Sequence, residues 1–445
     1  MAEINQPPSS LRSLPPEGAS APLGRPGAHV LRVLLLNQIA PAGLKRLPAE
    51  HYVVGKDLAQ PDAILVRSAD MHSMDIPASV KAVARAGAGT NNVPVAALSA
   101  RGVPVFNAPG ANANAVKELV LAGMLMAARN LPGALRFVAT LESTTGRSRV
   151  DAPPSGGGDG TPAPGGTMTS DAQMDQRVEE GKKAFAGVEL AGHTLGIVGL
   201  GKIGCLVADA AIKLGMHVLG YDPDITVDAA WSLPSQVRRA ASVAEVLKAS
   251  HFVTLHVPLV AATRGLVNAD NIALMKGGAV LLNFSREGVV DSAAVLAALE
   301  HKHLGWYVCD FPHAAINGHP RVLALPHLGA STREAEEHCA VMVADQLRDY
   351  LEHGNVVHAV NFPEVAMARE SRWRVAISNA NVPNMLGQIS TAMAHAGLNI
   401  HNLVTKSRGE MAYTLVDVDS AVDAAALAQL AAIHGVLSVR YLPSA

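Results

Sequence analysis

One segment, TLGIVGLGKIG (194–204), constrains this chain more than any other. A short β-branched strand runs into Gly199, Gly201 and Gly204, and the helix-forming run CLVADAAIKLG follows directly. Glycines at this spacing let a backbone turn approach a pyrophosphate closely, and the helix start offers free N–H donors and the positive end of a dipole. A second strand, HVLGYD, ends at Asp222, eighteen residues beyond Gly204. That is the distance expected for the acid that accepts hydrogen bonds from a ribose 2′-hydroxyl. A carboxylate there would repel a 2′-phosphate, so the pattern favours NAD over NADP.

The surrounding sequence repeats the same alternation. Short runs at 30–37, 63–69, 80–93 and 102–110 open the chain among helical patterns. The rhythm restarts at 193 and continues through HFVTLHVP (251–258), GAVLLNFS (278–285), GWYVCD (305–310) and VLALPH (322–327). Strand–helix alternation predicts an α/β chain with doubly wound parallel sheets. Residues 372–445 change character. They read strand, helix, strand, strand, helix, strand, the βαββαβ order of a ferredoxin-like unit.

Hydrophobic residues make up 49% of the 445, and charged residues 17% with a net charge of −2. Several cores can be buried, and the charge shows no basic excess for nucleic acid or a membrane surface. The apolar run from Leu119 to Ala128 is stopped by Glu118 and Arg129, too short to span a bilayer. Cys205, Cys309 and Cys339 are odd in number and far apart. They read as reduced core thiols in a cytoplasm-like compartment, not as disulfides or metal ligands, and no metal site is expected. Two stretches lack the material for a core. Residues 1–29 read as a disordered tail, whose Glu3 and Glu17 count against an organelle leader. Residues 143–170, rich in Gly and Pro, read as a surface insertion into a folded unit.

A second constellation carries chemistry. Arg286, Asp310 and His327 each follow the C-terminal end of a predicted strand. Open α/β sheets bind ligands at that edge. A histidine can take a hydroxyl proton near neutral pH, and a guanidinium can hold a carboxylate and a developing carbonyl oxygen.

The runs RAGAGTNNVPVAALSARGVPVFNAPGANANAVKELV, GVELAGHTLGIVGLGKIG, TLHVPLVAATRGLVN, MKGGAVLLNFSREGVVD and LALPHLGAST resemble the D-isomer-specific 2-hydroxyacid dehydrogenases. The terminal unit resembles an ACT domain. The resemblance spans roughly residues 30–142 and 175–445 and implies two Rossmann-like domains plus the ferredoxin-like ACT unit. The implied boundaries are 30–106 with 328–362 for a substrate-binding domain, 107–327 for an NAD-binding domain, 363–371 for a linker and 372–445 for the ACT unit. His327 would be the general acid/base, and Arg286 would hold the substrate carboxylate and keto oxygen. Asp310 would orient the nicotinamide. Gly199, Gly201, Ile203, Gly204, Asp222, His256 and Pro258 would line the NAD site. Arg67, Ser68, Gly89, Thr90 and Asn91 would hold substrate, with Arg67 the natural partner of a phosphate group.

The implied reaction is NAD-dependent oxidation of 3-phosphoglycerate. L-serine would act as effector through Asn379, Asn381 and Asn399, between ACT units of a homo-oligomer, dimer or tetramer. The helix from Asn114 to Asn130 would pair NAD domains.

Two departures matter. The family places a glutamate a few residues after the Asp310 position, where it hydrogen-bonds the catalytic histidine. Here residues 311–318 contain none, and Arg286 is followed by Glu287 instead of glycine. The loss predicts a lower pKa and a less fixed orientation for His327. It also motivates two alternatives: a dehydrogenase for another small D-2-hydroxy acid, and a non-catalytic NAD-sensing protein.

Overall fold

The computed structural model describes residues 30–142 and 171–444. The predicted tail and the predicted insertion lie outside the described residues. The described chain forms two parallel sheets, each with helices packed on it, and one antiparallel sheet.

The first sheet has five strands in the order Tyr52–Gly55, Leu31–Leu36, Ala63–Val66, Ala82–Arg85 and Val105–Phe106, all parallel. Its central strand Ala63–Val66 is buried at every position, as a parallel strand covered on both faces must be. The cover on one face comes from far along the chain. Helix Arg333–His353 lays Cys339, Val343, Leu347 and Tyr350 against Val33, Leu65, Ala84 and Phe106. Thr332 caps that helix by accepting from the Ala335 N–H, Glu334 and Glu336 sit at its positive end, and left-handed Gly354 stops it.

The second sheet has seven parallel strands. Their order is Val322–Ala324, Leu304–Cys309, Ala279–Asn283, Phe252–Leu255, Thr194–Val198, His217–Tyr221 and Arg238–Arg239. Strand order therefore reverses between Thr194–Val198 and Phe252–Leu255, which places a crevice at their C-terminal ends. The two-residue strand Arg238–Arg239 carries no apolar pattern and was not foreseen. The predicted helix at 114–130 runs from Ala113 to Ala128 and packs on this sheet. A Cβ at Gly123 would come within 2.7 Å of Val308, so glycine sets how closely helix and sheet approach. Met124 is fully buried, while Leu125 on the next face is 41% exposed.

The terminal sheet runs Ile400–Arg408, Met411–Val418, Trp373–Ala380 and Val436–Pro443, with all pairs antiparallel. Strand alternation gives it two faces. Val375 and Ile377 meet helices Met385–His395 and Ala424–Ala431 through Ile389, Met393 and Leu430. Ala376, with Tyr413, Leu415 and Leu442, instead joins the core around Tyr350 and Phe362. On the same face Arg374 is wholly buried. Its guanidinium donates to both oxygens of Asp417 at 2.6 and 2.9 Å, and to the carbonyls of His353, Met367 and Ala368. Every donor of a buried guanidinium is thereby used. The segment read as a linker is also packed, with Val365 and Met367 buried.

Candidate active site

The glycine turn is shaped by what each missing side chain avoids. Gly199 has φ +96°, and a Cβ there would lie 2.5 Å from the His256 carbonyl. A Cβ at Gly204 would lie 2.1 Å from the Gly199 carbonyl, so this glycine lets the helix start close to the strand. Gly201 differs. It caps helix Lys202–Lys213, and a Cβ there would point into open space. Sterics inside the chain do not require glycine at 201, but a pyrophosphate at the helix start would. Asp222 lies beside the turn. One oxygen accepts from Leu200 N–H at 2.8 Å and the other from Asp224 N–H at 3.0 Å, which fixes the carboxylate at the crevice edge. His256 ends the neighbouring strand. Desolvation of the partly buried ring pushes its imidazole down to about 3, so it stays neutral. Its Nε2 meets Thr254 Oγ1 at 3.0 Å, while Nδ1 is buried without a partner among the described residues. An open cradle, a fixed carboxylate and an unpartnered ring nitrogen on one crevice fit a dinucleotide.

Ile203, His256, Pro258, Arg286, Asp310 and His327 line a single cleft of about 230 Å³ at the C-terminal edge of the second sheet. His327 holds φ +57°, a left-handed conformation rare outside glycine. Its stabilisation comes from Asp310. That carboxylate is only 2% exposed, and its two oxygens accept the N–H groups of Leu328 and Gly329, each at 2.7 Å. Burial raises the Asp310 carboxyl above the usual range, opposed by those two N–H groups and by His327. The carboxylate expected to orient a nicotinamide thus also clamps the turn that carries the histidine. Among the described residues no carboxylate pairs with His327. The Phe311 ring packs against the imidazole instead, with centroids 5.1 Å apart and planes at 62°.

Arg286 is exposed, and its backbone is set by Asn283, whose amide donates to the Arg286 carbonyl at 2.9 Å. Its guanidinium donates to Ser285 O at 2.6 Å. It also reaches toward the first sheet: a Cβ built on Gly89 would be 3.6 Å from Arg286 Nη2. Gly89 in turn neighbours the Asn91 side chain, and Thr90 completes the loop. Arg67 follows strand Ala63–Val66, and its guanidinium pairs with Glu336 of the long helix, both half-buried. Ser68 and Ala69 donate their N–H groups to Asn37.

Sequence reasoning passed over Arg85. It ends strand Ala82–Arg85, its Nε donates to the Arg67 carbonyl at 3.0 Å, and a Cβ at Gly87 would collide with its guanidinium. Burial pushes its pKa down, the Cys339 thiol opposes this, and Arg67 and Arg286 add to it. Arg67 and Arg286 are thus the cationic neighbours of Arg85. The signal was present: Arg85 stands immediately before the AGAG run, at the end of a strand. Glu336 and Phe311 carried no such signal.

The terminal sheet holds a separate pocket of about 280 Å³ that includes Asn379, Asn381, Thr405 and Lys406. Asn379 Oδ1 is buried without a partner, and Asn381 donates to the Gly409 carbonyl. Asn399 is not there. It precedes Ile400, which pairs with Val418 at the opposite end of the sheet, whereas Asn379 pairs with Ala412.

Residues 166–329 match the family model described as D-isomer specific 2-hydroxyacid dehydrogenase, NAD binding domain. The chain is 32% identical over 368 residues to D-3-phosphoglycerate dehydrogenase of Escherichia coli strain K12, covering 80% of this chain and 79% of that one. Among solved structures, the TT0316 protein of Thermus thermophilus aligns with a TM-score of 0.56 at 26% identity, over 74% of this chain and all of that one. The NAD+-bound 3-phosphoglycerate dehydrogenase of Entamoeba histolytica aligns with a TM-score of 0.53 at 22% identity, over 75% of this chain and 99% of that one.

Proposed function

The chain belongs to the D-isomer-specific 2-hydroxyacid dehydrogenases, and from that premise we propose that it oxidises 3-phosphoglycerate to 3-phosphohydroxypyruvate with NAD. The observation that carries this reading is the placing of Arg85 against Arg67, its Nε on the Arg67 carbonyl at 3.0 Å, while Arg286 of the His327 cleft reaches toward the Gly89 loop. A substrate with a carboxylate at one end and a phosphate at the other needs more than one guanidinium.

In this reading Arg286 and the Gly89 loop hold the carboxylate and the C2 oxygen. Arg85 and Arg67 hold the phosphate, and the substrate phosphate displaces Glu336 from Arg67. His327 accepts the C2 hydroxyl proton as the carbonyl forms, with its ring held by Phe311 and its backbone by Asp310. The bound NAD supplies the hydride acceptor. Gly201, Asp222 and His256 would hold it, and Asp222 disfavours a 2′-phosphate.

A second reading rests on Glu336. It already neutralises Arg67, an arrangement that also suits a small unphosphorylated 2-hydroxy acid. NADH-dependent reduction of 3-phosphohydroxypyruvate, set beside unphosphorylated hydroxypyruvate, separates the two. The expected result is a preference for the phosphorylated substrate that Arg85→Leu removes, with His327→Ala slowing turnover at least about 100-fold. Equal use of both substrates, unchanged in Arg85→Leu, would refute the phosphoglycerate assignment.

We further propose that serine regulates the enzyme at the Asn379–Asn381 pocket. Asn399 at the far end of the sheet would reach that pocket only from a second copy. Inhibition by L-serine that Asn381→Ala abolishes would support this.

A further inference from the structure

The second parallel sheet has a cleft at each end. The one at its N-terminal edge, of about 300 Å³, includes His193, His251, Lys276, Trp306 and Arg321. Each sits where a strand begins: before Thr194, before Phe252, before Ala279, within Leu304–Cys309 and before Val322. The active-site cleft lies beyond the other ends of these strands, roughly 17 Å away at ~3.3 Å per residue.

The charge of this cleft is one-sided. Among the described residues, four that line it are basic and none is Asp or Glu. Neither Lys276 nor Arg321 has a carboxylate partner among the described residues. Arg321 instead lies over the Trp306 ring, 5.1 Å from its centroid. The His193 and His251 rings meet edge to face at 4.7 Å.

Hydrogen-bond bookkeeping shows what is missing. His251 Nδ1 accepts the Thr194 N–H at 3.1 Å. A histidine whose Nδ1 is an acceptor must carry its proton on Nε2. That Nε2 lies 3.2 Å from Lys276 Nζ, so a ring N–H faces an ammonium, donor against donor. His193 Nδ1 is also buried with no partner among the described residues. Burial first, then Lys276 and His193, push the His251 imidazole down, as expected where cations crowd without a counter-ion. A group rich in acceptor oxygens, bound beside both His251 and Lys276, would satisfy both donors at once.

We propose that this cleft is a second anion site, binding a phosphate-type oxyanion through Lys276, His251 and Arg321. The site itself does not depend on the substrate assigned to the active site; only the active-site class of phosphate binding in its test rests on that reading. Calorimetric titration of the full chain with inorganic phosphate tests it. Two classes of site are expected in the wild type. Arg85→Leu should remove one of them, the active-site class, and leave the other. Lys276→Met should weaken the other at least tenfold while turnover stays within twofold of wild type, and Arg321→Leu should weaken it independently. The proposal is overturned if Arg85→Leu abolishes all phosphate binding, or if both Lys276→Met and Arg321→Leu titrate as wild type.

Discussion

Replacing Asp310 by asparagine tests the strongest mechanical link in the active site. Its two carboxylate oxygens each hold a backbone N–H at 2.7 Å, from Leu328 and Gly329, beside a histidine at φ +57°. Hydrogen bonds to a charged group are worth about 1.5–3 kcal/mol each. Asparagine keeps one acceptor but turns a donor toward the other N–H, so about 2 kcal/mol of clamping is lost. A left-handed backbone costs an ordinary residue about 1–2 kcal/mol. The lost clamp is therefore as large as the strain it opposes, and the His327 turn should leave its working conformation. At 1.36 kcal/mol per tenfold, turnover should fall about 30-fold. The assay is kcat for NADH-dependent reduction of 3-phosphohydroxypyruvate, beside the Kd of NADH from its fluorescence. A variant with kcat within threefold of wild type would refute the clamp. So would a variant that binds NADH far more weakly yet turns over normally at saturation, since Asp310 would then serve the cofactor alone.

The two glycines of the cofactor turn should separate binding from folding. Gly201→Ala should fold as wild type but lose NADH affinity, whereas Gly204→Ala should lower the melting temperature because of the 2.1 Å approach to the Gly199 carbonyl; fluorescence titration and calorimetry distinguish them. Arg374→Met leaves Asp417 as a buried unpaired charge, a loss of about 3–5 kcal/mol, or about 10 °C in Tm. Arg374→Met/Asp417→Leu should recover much of it, and a double variant no better than the single one would contradict the charge argument. For Asp417 itself, burial alone would raise the carboxyl, but Arg374 and the Glu370 N–H overcome this and hold it below its ordinary 3.8. Its share of stability is therefore present above pH ~3.8 and lost as pH falls through the lower folded value, which acid unfolding of wild type against Asp417→Asn will show.

Local patterns made much of this legible. Gly199, Gly201, Gly204 and Asp222 signal a strand–turn–helix because their requirement is local backbone space. Arg286, Asp310 and His327 were found from strand ends, since a parallel sheet gathers those ends at one edge. What escaped depends on distant partners. Nothing near Arg67 announces that Glu336 will meet it, because the long helix is brought back only when the first sheet is covered. Arg85 was overlooked for a different reason: it reads as the last residue of a strand until Gly87 is seen to make room for it. The segment 363–371 resembled a free connection, yet Val365 and Met367 are buried in the core around Tyr350 and Phe362, where Val365 bridges to Val356 and Arg374 donates to the carbonyls of Met367 and Ala368.

The way helix Arg333–His353 covers the first sheet has a consequence in time. Strands Leu31–Leu36 to Val105–Phe106 leave the ribosome before the second sheet, but the helix that covers one face of them is complete only about 250 residues later. At 5–20 residues per second, one face of the nascent sheet waits roughly 12–50 s without its partner. In that interval the second sheet, whose strands are contiguous in the chain, can close before the first. Val33, Leu65, Ala84 and Phe106 are thus the residues a holding chaperone would meet on the growing chain, and a sheet made before the second one closes after it.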